Sequence, residues 1–170
     1  LLAASLSAAA SDVPQLTSTL IASGLDNPTY AAAPTGITDR IWVVEKRGRI
    51  QLVIDGVTQP TPFLNIDGTV PDETWNGMIG LCFDPDWDDN GWFYVHHTIG
   101  QGTSSGIRIA RYTRSTTNPN VADPTSGTTV LQLDYPDVSA HHVGGWLGFG
   151  PDGLLYIPLG DGGIGAGASA

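Results

Sequence analysis

The chain has one cysteine, one lysine and one methionine among its 170 residues. A lone Cys82 permits no internal disulfide and no paired-cysteine zinc site. It sits within Ile79-Gly80-Leu81-Cys82-Phe83, which reads as a buried strand, so a small core side chain is a better account than a reactive thiol. Basic residues are scarce as well: seven Lys and Arg against seventeen Asp and Glu give a formal charge of −10. Such a surface repels phosphate backbones and anionic lipid, which sets nucleic acid aside as a partner. No apolar run approaches the ~20 residues that a membrane span requires. Long helical patterns are also missing, because 22 Gly and 12 Pro cut the chain into short segments.

What remains is a series of short runs rich in Val, Ile, Leu, Trp and Tyr. Ahead of them, residues 1–10 form an uncharged, small-residue apolar stretch ending in Ala8-Ala9-Ala10 before Ser11-Asp12. Residues 1–12 read as the remnant of a secretory signal, with a short Ala-rich surface helix as the rival account. The expectation is a soluble protein that is secreted or periplasmic, with residues 13–170 forming one partial domain.

That domain carries a degenerate repeat. One copy is Leu81-Cys-Phe83-Asp-Pro85-Asp86, a polar turn to Asn90-Gly91, then Trp92-Phe-Tyr94-Val95. Another is Leu147-Gly-Phe149-Gly-Pro151-Asp152-Gly153, then Leu154-Leu-Tyr156-Ile157. A worn first copy runs from Tyr30 through Pro34-Thr-Gly36 to Ile41-Trp-Val-Val44, so the prolines lie 51 and 66 residues apart. Each copy is a short strand, a tight turn and a second short strand. Residues 49–54 and 107–112 alternate apolar and polar for part of their length, and 128–133 reads as an outer strand. Four strands repeating without helices between them predict an all-β propeller. A β-sandwich ranks second, because it would not repeat the proline turn after each inner strand. The strands account for two blades and the first half of a third, too few to close a ring.

The stretch richest in chemistry runs from His141-His142-Val143-Gly144-Gly145 to Gly160-Asp161-Gly162-Gly163. Two histidines enter an inner strand and an aspartate leaves the next one. An antiparallel hairpin brings those ends to the same side of the sheet, near one mouth of the central channel. A carboxylate beside an imidazole fixes its tautomer and stabilises its protonated form, as a general base requires. The competing account makes Asp161 a strand terminator and the histidines exposed loop residues.

This stretch resembles the segment His-x-Gly-Gly-x-Leu-x-Phe-Gly-Pro-Asp-Gly-x-Leu-Tyr of glucose/sorbosone-type dehydrogenases, which is followed by Gly-Asp-Gly-Gly. Asn76-Gly77-Met78-Ile79-Gly80-Leu81-Cys82-Phe83-Asp84-Pro85-Asp86-Trp87 resembles a second family segment. Gly24-Leu25-Asp26-Asn27-Pro28 and Arg47-Gly48-Arg49-Ile50 resemble its opening blade. The likeness is collinear over residues 22–163. It implies a six-bladed propeller that binds pyrroloquinoline quinone (PQQ) with calcium at the channel mouth. It also implies oxidation of an aldose sugar, with an external electron acceptor. By position, His142 resembles the base that takes the sugar hydroxyl proton, and Asp161 the carboxylate that orients it. His141 and Trp75 stand where the family places acidic or amide residues near the cofactor, with Asn76 beside Trp75. Trp75 either stacks on a flat quinone or fills the site and excludes it. No metal ligand is assigned here, since the family's calcium ligands fall beyond residue 170. The hedgehog-interacting type of propeller implies the alternative, a member that binds a glycan or protein without the reaction. On either account, residues 1–170 alone are expected to be inactive, because an open ring exposes strand edges and apolar faces.

Other signals are set aside. Gly148-x-Gly150-x-x-Gly153 and Gly160-x-Gly162-x-x-Gly165 match a dinucleotide fingerprint, but neither leads into a helix. Asp84, Asp86 and Asp88 alternate as in a calcium loop, yet Asp89 and Val95 stand where an EF-hand needs Gly and Glu. His96-His97 read as a strand-end pair without a third metal ligand. The aromatic residues read as packing between blades. Asp72 and Glu73 near one mouth leave a two-carboxylate glycosidase as a distant third class.

Overall fold

The computed structural model describes residues 16–72, 76–100, 104–136 and 142–161. The signal-like segment, Glu73, Trp75 and His141 lie outside the described residues.

The first sheet contains β1 (Pro28–Ala32), β2 (Arg40–Glu45), β3 (Arg49–Ile54), β4 (Val57–Thr58) and β5 (Leu64–Asn65). The first four lie in sequence order, and β5 also pairs with β3, so two short strands share the outer position. The second sheet is an antiparallel meander of β6 (Met78–Phe83), β7 (Trp92–Ile99), β8 (Ser104–Arg114) and β9 (Ala122–Pro136). A third pair, β10 (Gly148–Phe149) and β11 (Leu155–Tyr156), begins a further sheet. Consecutive small meanders, each with its strand ladders within itself and only isolated hydrogen bonds to the next, such as the Met78 N–H to the Lys46 carbonyl, are blades of a propeller and not the two facing sheets of a sandwich. Among the described residues no helix is long and apolar enough to cross a membrane.

Local chemistry sets these boundaries. The turn between β6 and β7, expected to be irregular, contains a single helical turn, α1 (Trp87–Asn90), closed by Gly91 at φ 65°. Asp84 organises it by accepting hydrogen bonds from the Asp86 N–H (3.1 Å), Asn90 Nδ2 (2.9 Å) and the Tyr94 hydroxyl (3.0 Å). These bonds occupy the Asp84 carboxylate in a turn, as the departure from an EF-hand pattern predicts. The outer strand expected at 128–133 is longer, because β9 pairs with β8 over nearly its whole length.

The blades meet through their side faces. Trp42, Phe63, Phe83, Trp87 and Phe93 interlock between the first two, mostly edge to face, with Phe83–Trp87 centroids at 4.8 Å and Trp42–Phe83 at 5.0 Å. Cys82, Tyr94, Ile109 and Leu147 form the layer between the second and third. Burial pushes the Cys82 thiol up to about 12, with Asp84 adding to the effect, so it stays a protonated core group. The expected packing role fits Trp42 and Trp87. Trp146 and Tyr156 differ, with about half of each exposed.

His96 and His97 are not at the strand end. β7 continues to Ile99, and both side chains are buried. The register places His96 opposite Gly80 on one side and Ile109 on the other.

The antiparallel order gives the layer two ends. The turns at Pro34, Pro85 and Pro151 share one end. The β2–β3 turn, the start of β6, the end of β7, His142 and Asp161 share the other.

Candidate active site

A cavity of about 440 Å³ opens at the proline end, among Tyr30, Pro34, Asp84, Pro85, Phe149 and Pro151. No histidine lines it, and of its two carboxylates, Asp84 and Asp88, the first is already engaged in a turn. The chemistry gathers at the opposite end.

There the chain makes a tight backbone layer. His142 has φ 57°, a left-handed conformation uncommon for a residue with a side chain. Gly144 follows at φ 89°. A Cβ on Gly160 would run into the His142 carbonyl, and one on Gly144 would run into the Pro158 carbonyl. A Cβ on Gly80 would meet the Gly145 carbonyl. Residues 142–145 are therefore packed backbone to backbone, with 158–160 on one side and the start of β6 on the other. Glycine is the residue that permits such approach, which explains the motif His-x-Gly-Gly followed by Gly-Asp.

The packing brings His142 Nδ1 to 3.2 Å from Asp161 Oδ1. An N–H on Nδ1 donates to the carboxylate, leaving the Nε2 lone pair as the basic site. The imidazole is 68 % exposed and the carboxylate 50 %, so the pair opens onto the surface of the described chain. Val143 and Leu147 point the other way and are buried. This alternation anchors the segment while His142 faces out.

Asn76, the third described candidate, stands at the start of β6 on the same end. Its Oδ1 is buried without a hydrogen-bond partner among the described residues. Gly77 beside it is held from two sides. Its N–H donates to Thr98 Oγ1 at 2.7 Å, and its carbonyl accepts the Thr98 N–H at 2.9 Å. Sequence reasoning did not find Thr98, nor Lys46, whose side chain packs across Gly77. The glycine after Asn76 was the available signal for that close approach.

The β2–β3 turn completes this end. Glu45 is buried and accepts the Asp26 N–H at 2.7 Å and Gln51 Nε2 at 3.2 Å. Arg49 Nε lies 3.0 Å from Glu45 Oε2 but does not point its hydrogen at it, so that contact is electrostatic. Arg49 Nη2 donates to Asp26 Oδ2 at 2.8 Å.

The family model for glucose/sorbosone dehydrogenase matches residues 25–169. The chain belongs to the glucose/sorbosone dehydrogenase family. Among curated proteins similar to this chain, the Hedgehog-interacting proteins of Mus musculus and Homo sapiens are each 34% identical over 155 residues. Those matches cover 84% of this chain and 22% of either relative. The PQQ-bound form of the aldose sugar dehydrogenase from Streptomyces coelicolor superposes with a TM-score of 0.68 at 23% identity, covering 85% of this chain and 41% of that one. The apo soluble aldose sugar dehydrogenase of Escherichia coli gives 0.71 at 19% identity, covering 86% and 41%. The chain thus spans about a fifth of the curated relatives and about two-fifths of the solved propellers. Two and a half blades of six occupy that same share of a ring.

Proposed function

We propose that the protein is a secreted or periplasmic sugar dehydrogenase that oxidises the anomeric carbon of an aldose and passes the electrons to an external acceptor. The observation that carries this reading is the His142–Asp161 contact, held by glycine-mediated backbone packing in a chain of this family. His142 takes the proton of the sugar hydroxyl on Nε2, and Asp161 holds the ring in the required tautomer and stabilises the imidazolium that results. The carbon gives up a hydride as the hydroxyl gives up its proton, leaving a lactone.

PQQ, with calcium, supplies the hydride acceptor when bound. The described residues fit such a group: among them the buried Asn76 Oδ1 has no hydrogen-bond partner, and the adjoining turn and the start of β3 carry the cations Lys46, Arg47 and Arg49. Asn76 would hold the cofactor with His141 and Trp75, the two candidates outside the described residues.

The test is sugar-dependent dye reduction by the full-length protein with PQQ and Ca²⁺, against quinone-free controls. Turnover that requires the quinone supports the reading. A folded protein that reduces no dye across a broad aldose panel would overturn it.

A second reading rests on the 34% identity to proteins named for interacting with Hedgehog. In that case the propeller binds a glycan or a protein and performs no redox chemistry. Saturable binding of such a ligand without any quinone-dependent turnover would favour it.

A further inference from the structure

Thr98 stands where the β6–β7 ladder ends, and its side chain takes the place of main chain there. A hydrogen-bonded pair in an antiparallel ladder exchanges two backbone bonds. Between Gly77 and Thr98 one of them is made: the Thr98 N–H donates to the Gly77 carbonyl at 2.9 Å. The return bond goes elsewhere, because the Gly77 N–H donates to Thr98 Oγ1, at 2.7 Å in a buried setting. The Thr98 carbonyl lies 2.8 Å from His97 Nδ1, which donates to it because a carbonyl only accepts. For the hydroxyl's own hydrogen the acceptors are long, the carbonyls of Gly77 at 3.4 Å and Pro71 at 3.5 Å. The short bond, with Oγ1 as acceptor, is therefore the one that matters.

The bonds around it make a fixed base. The next residue, Met78, donates its N–H to the Lys46 carbonyl at 2.8 Å, and its own carbonyl accepts Thr29 Oγ1 at 2.8 Å. Gly77 and Met78 thus have all four backbone polar groups held, by β7, the β2–β3 turn and β1. Gly77 has φ 147°, and an added Cβ would stand 2.8 Å from the Lys46 carbonyl oxygen, so glycine alone suits this crossing. Asn76 is carried on this base. Its Oδ1 is buried and has no hydrogen-bond partner among the described residues, so the backbone at Gly77, and not a bond from Oδ1, sets where that side chain lies.

We propose that Thr98 is a positioning residue for the quinone cofactor: by holding the Gly77 N–H, its hydroxyl oxygen fixes Asn76 at the cofactor end. The inference rests on the sugar dehydrogenase reading above. A valine at 98 would have nearly the same shape but no oxygen, leaving the Gly77 N–H buried without its acceptor. That N–H belongs to the peptide joining 76 to 77, so it recovers a partner only by moving the unit that carries Asn76. A contact group displaced in this way loses much of an oriented interaction.

The test is quinone affinity, read by quenching of tryptophan fluorescence as PQQ is added to the full-length protein with Ca²⁺ and no sugar. Thr98→Val keeps the shape and removes the acceptor; Thr98→Ala is the second variant should the first not fold. Both are expected to weaken PQQ binding about tenfold. Thr98→Ser restores the oxygen and should stay within about threefold of wild type. Tyr94→Phe also loses one hydroxyl hydrogen bond, at the proline end of the same blade. It should bind the quinone as wild type does, which separates the placement of Asn76 from a general loss of stability. In the variants without the hydroxyl, the quinone concentration for half-maximal sugar oxidation should rise by the same factor. Turnover at saturating quinone should stay within about threefold, because His142 and Asp161 are held by other segments. Folded Thr98→Val or Thr98→Ala protein that binds PQQ as tightly as wild type overturns the assignment of Thr98 alone, as does an equal loss in Tyr94→Phe. A wild-type protein that binds no quinone overturns the dehydrogenase reading, and this one with it.

Discussion

His142 Nδ1 stands 3.2 Å from Asp161 Oδ1, although 19 residues separate them in the chain. Close backbone packing bears on that distance. It is fixed by the contact of the Gly160 backbone with the His142 carbonyl and of Gly144 with the Pro158 carbonyl. The pair is a rigid-body property of two facing segments, which suits groups that must be oriented before a reaction.

If His142 is the base, His142→Ala should lower kcat by about a hundredfold or more, the usual contribution of a positioned general base. Asp161→Asn keeps the shape but removes the charge that favours the Nδ1–H tautomer, and should cost about tenfold or more in kcat with KM changed less. Steady-state kinetics with saturating PQQ and Ca²⁺ reads both. Turnover of His142→Ala within a few-fold of wild type removes His142 from the role.

The packing makes a separate prediction. Gly160→Ala adds one methyl group that must displace the His142 carbonyl, so the imidazole moves relative to Asp161. Activity should fall at least tenfold while the circular dichroism spectrum stays that of wild type. Gly153→Ala is the contrast. No atom lies within 4 Å of an added Cβ there, but φ is 77°, so the cost is backbone strain of about 1 kcal/mol in stability and not activity. Equal losses of activity in the two variants would show that the close approach at Gly160 does not position His142.

Much of this was legible in the sequence, for identifiable reasons. The repeated strand–turn–strand units stood out because proline and glycine punctuate strands that alternate at period two, and local chemistry decides such turns. The His142–Asp161 pairing was legible because a hairpin fixes which strand ends meet. The helical turn at Trp87–Asn90 was not. It depends on Asp84 being recruited by Tyr94, ten residues away on the next strand. The burial of His96 and His97 was also hidden, because their depth is set by the neighbouring blades and not by β7 itself. Nor does sequence spacing announce that Lys46 of one blade packs on Gly77 of the next.

The Asp84–Tyr94 bond carries its own expectation. Burial is the main cause that pushes the Tyr94 phenol up to about 12, with the Asp84 hydrogen bond and charge acting the same way. Tyr94→Phe leaves Asp84 with the Asp86 N–H and Asn90, and should destabilise by about 1 kcal/mol in urea denaturation. An unchanged midpoint would mean that the hydroxyl adds nothing to the turn.

The buried histidines make the fold sensitive to acid. His96 is fully buried, neither ring nitrogen has a hydrogen-bond partner among the described residues, and its neighbours across the sheet are Gly80 and Ile109. Burial, and secondarily the charge of His97, lower its pKa from 6.5 to about 4. His97 is lowered too, mainly by burial. Both are neutral in the folded protein at pH 7, whereas an unfolded chain takes up protons as pH falls through 6.5. Between pH 6.5 and 4 the unfolded state binds more protons, so stability falls as pH falls; above 6.5 these groups contribute no pH dependence. For His96 the loss reaches on the order of 3 kcal/mol by pH 4. His96→Met fills a similar volume, removes two unsatisfied polar atoms and cannot titrate. Its urea midpoint should equal or exceed wild type at pH 7.5 and fall less steeply toward pH 4. Parallel curves for the two proteins across that window would mean that the imidazole finds a partner for its proton inside the fold, and that its burial is not the source of the acid sensitivity.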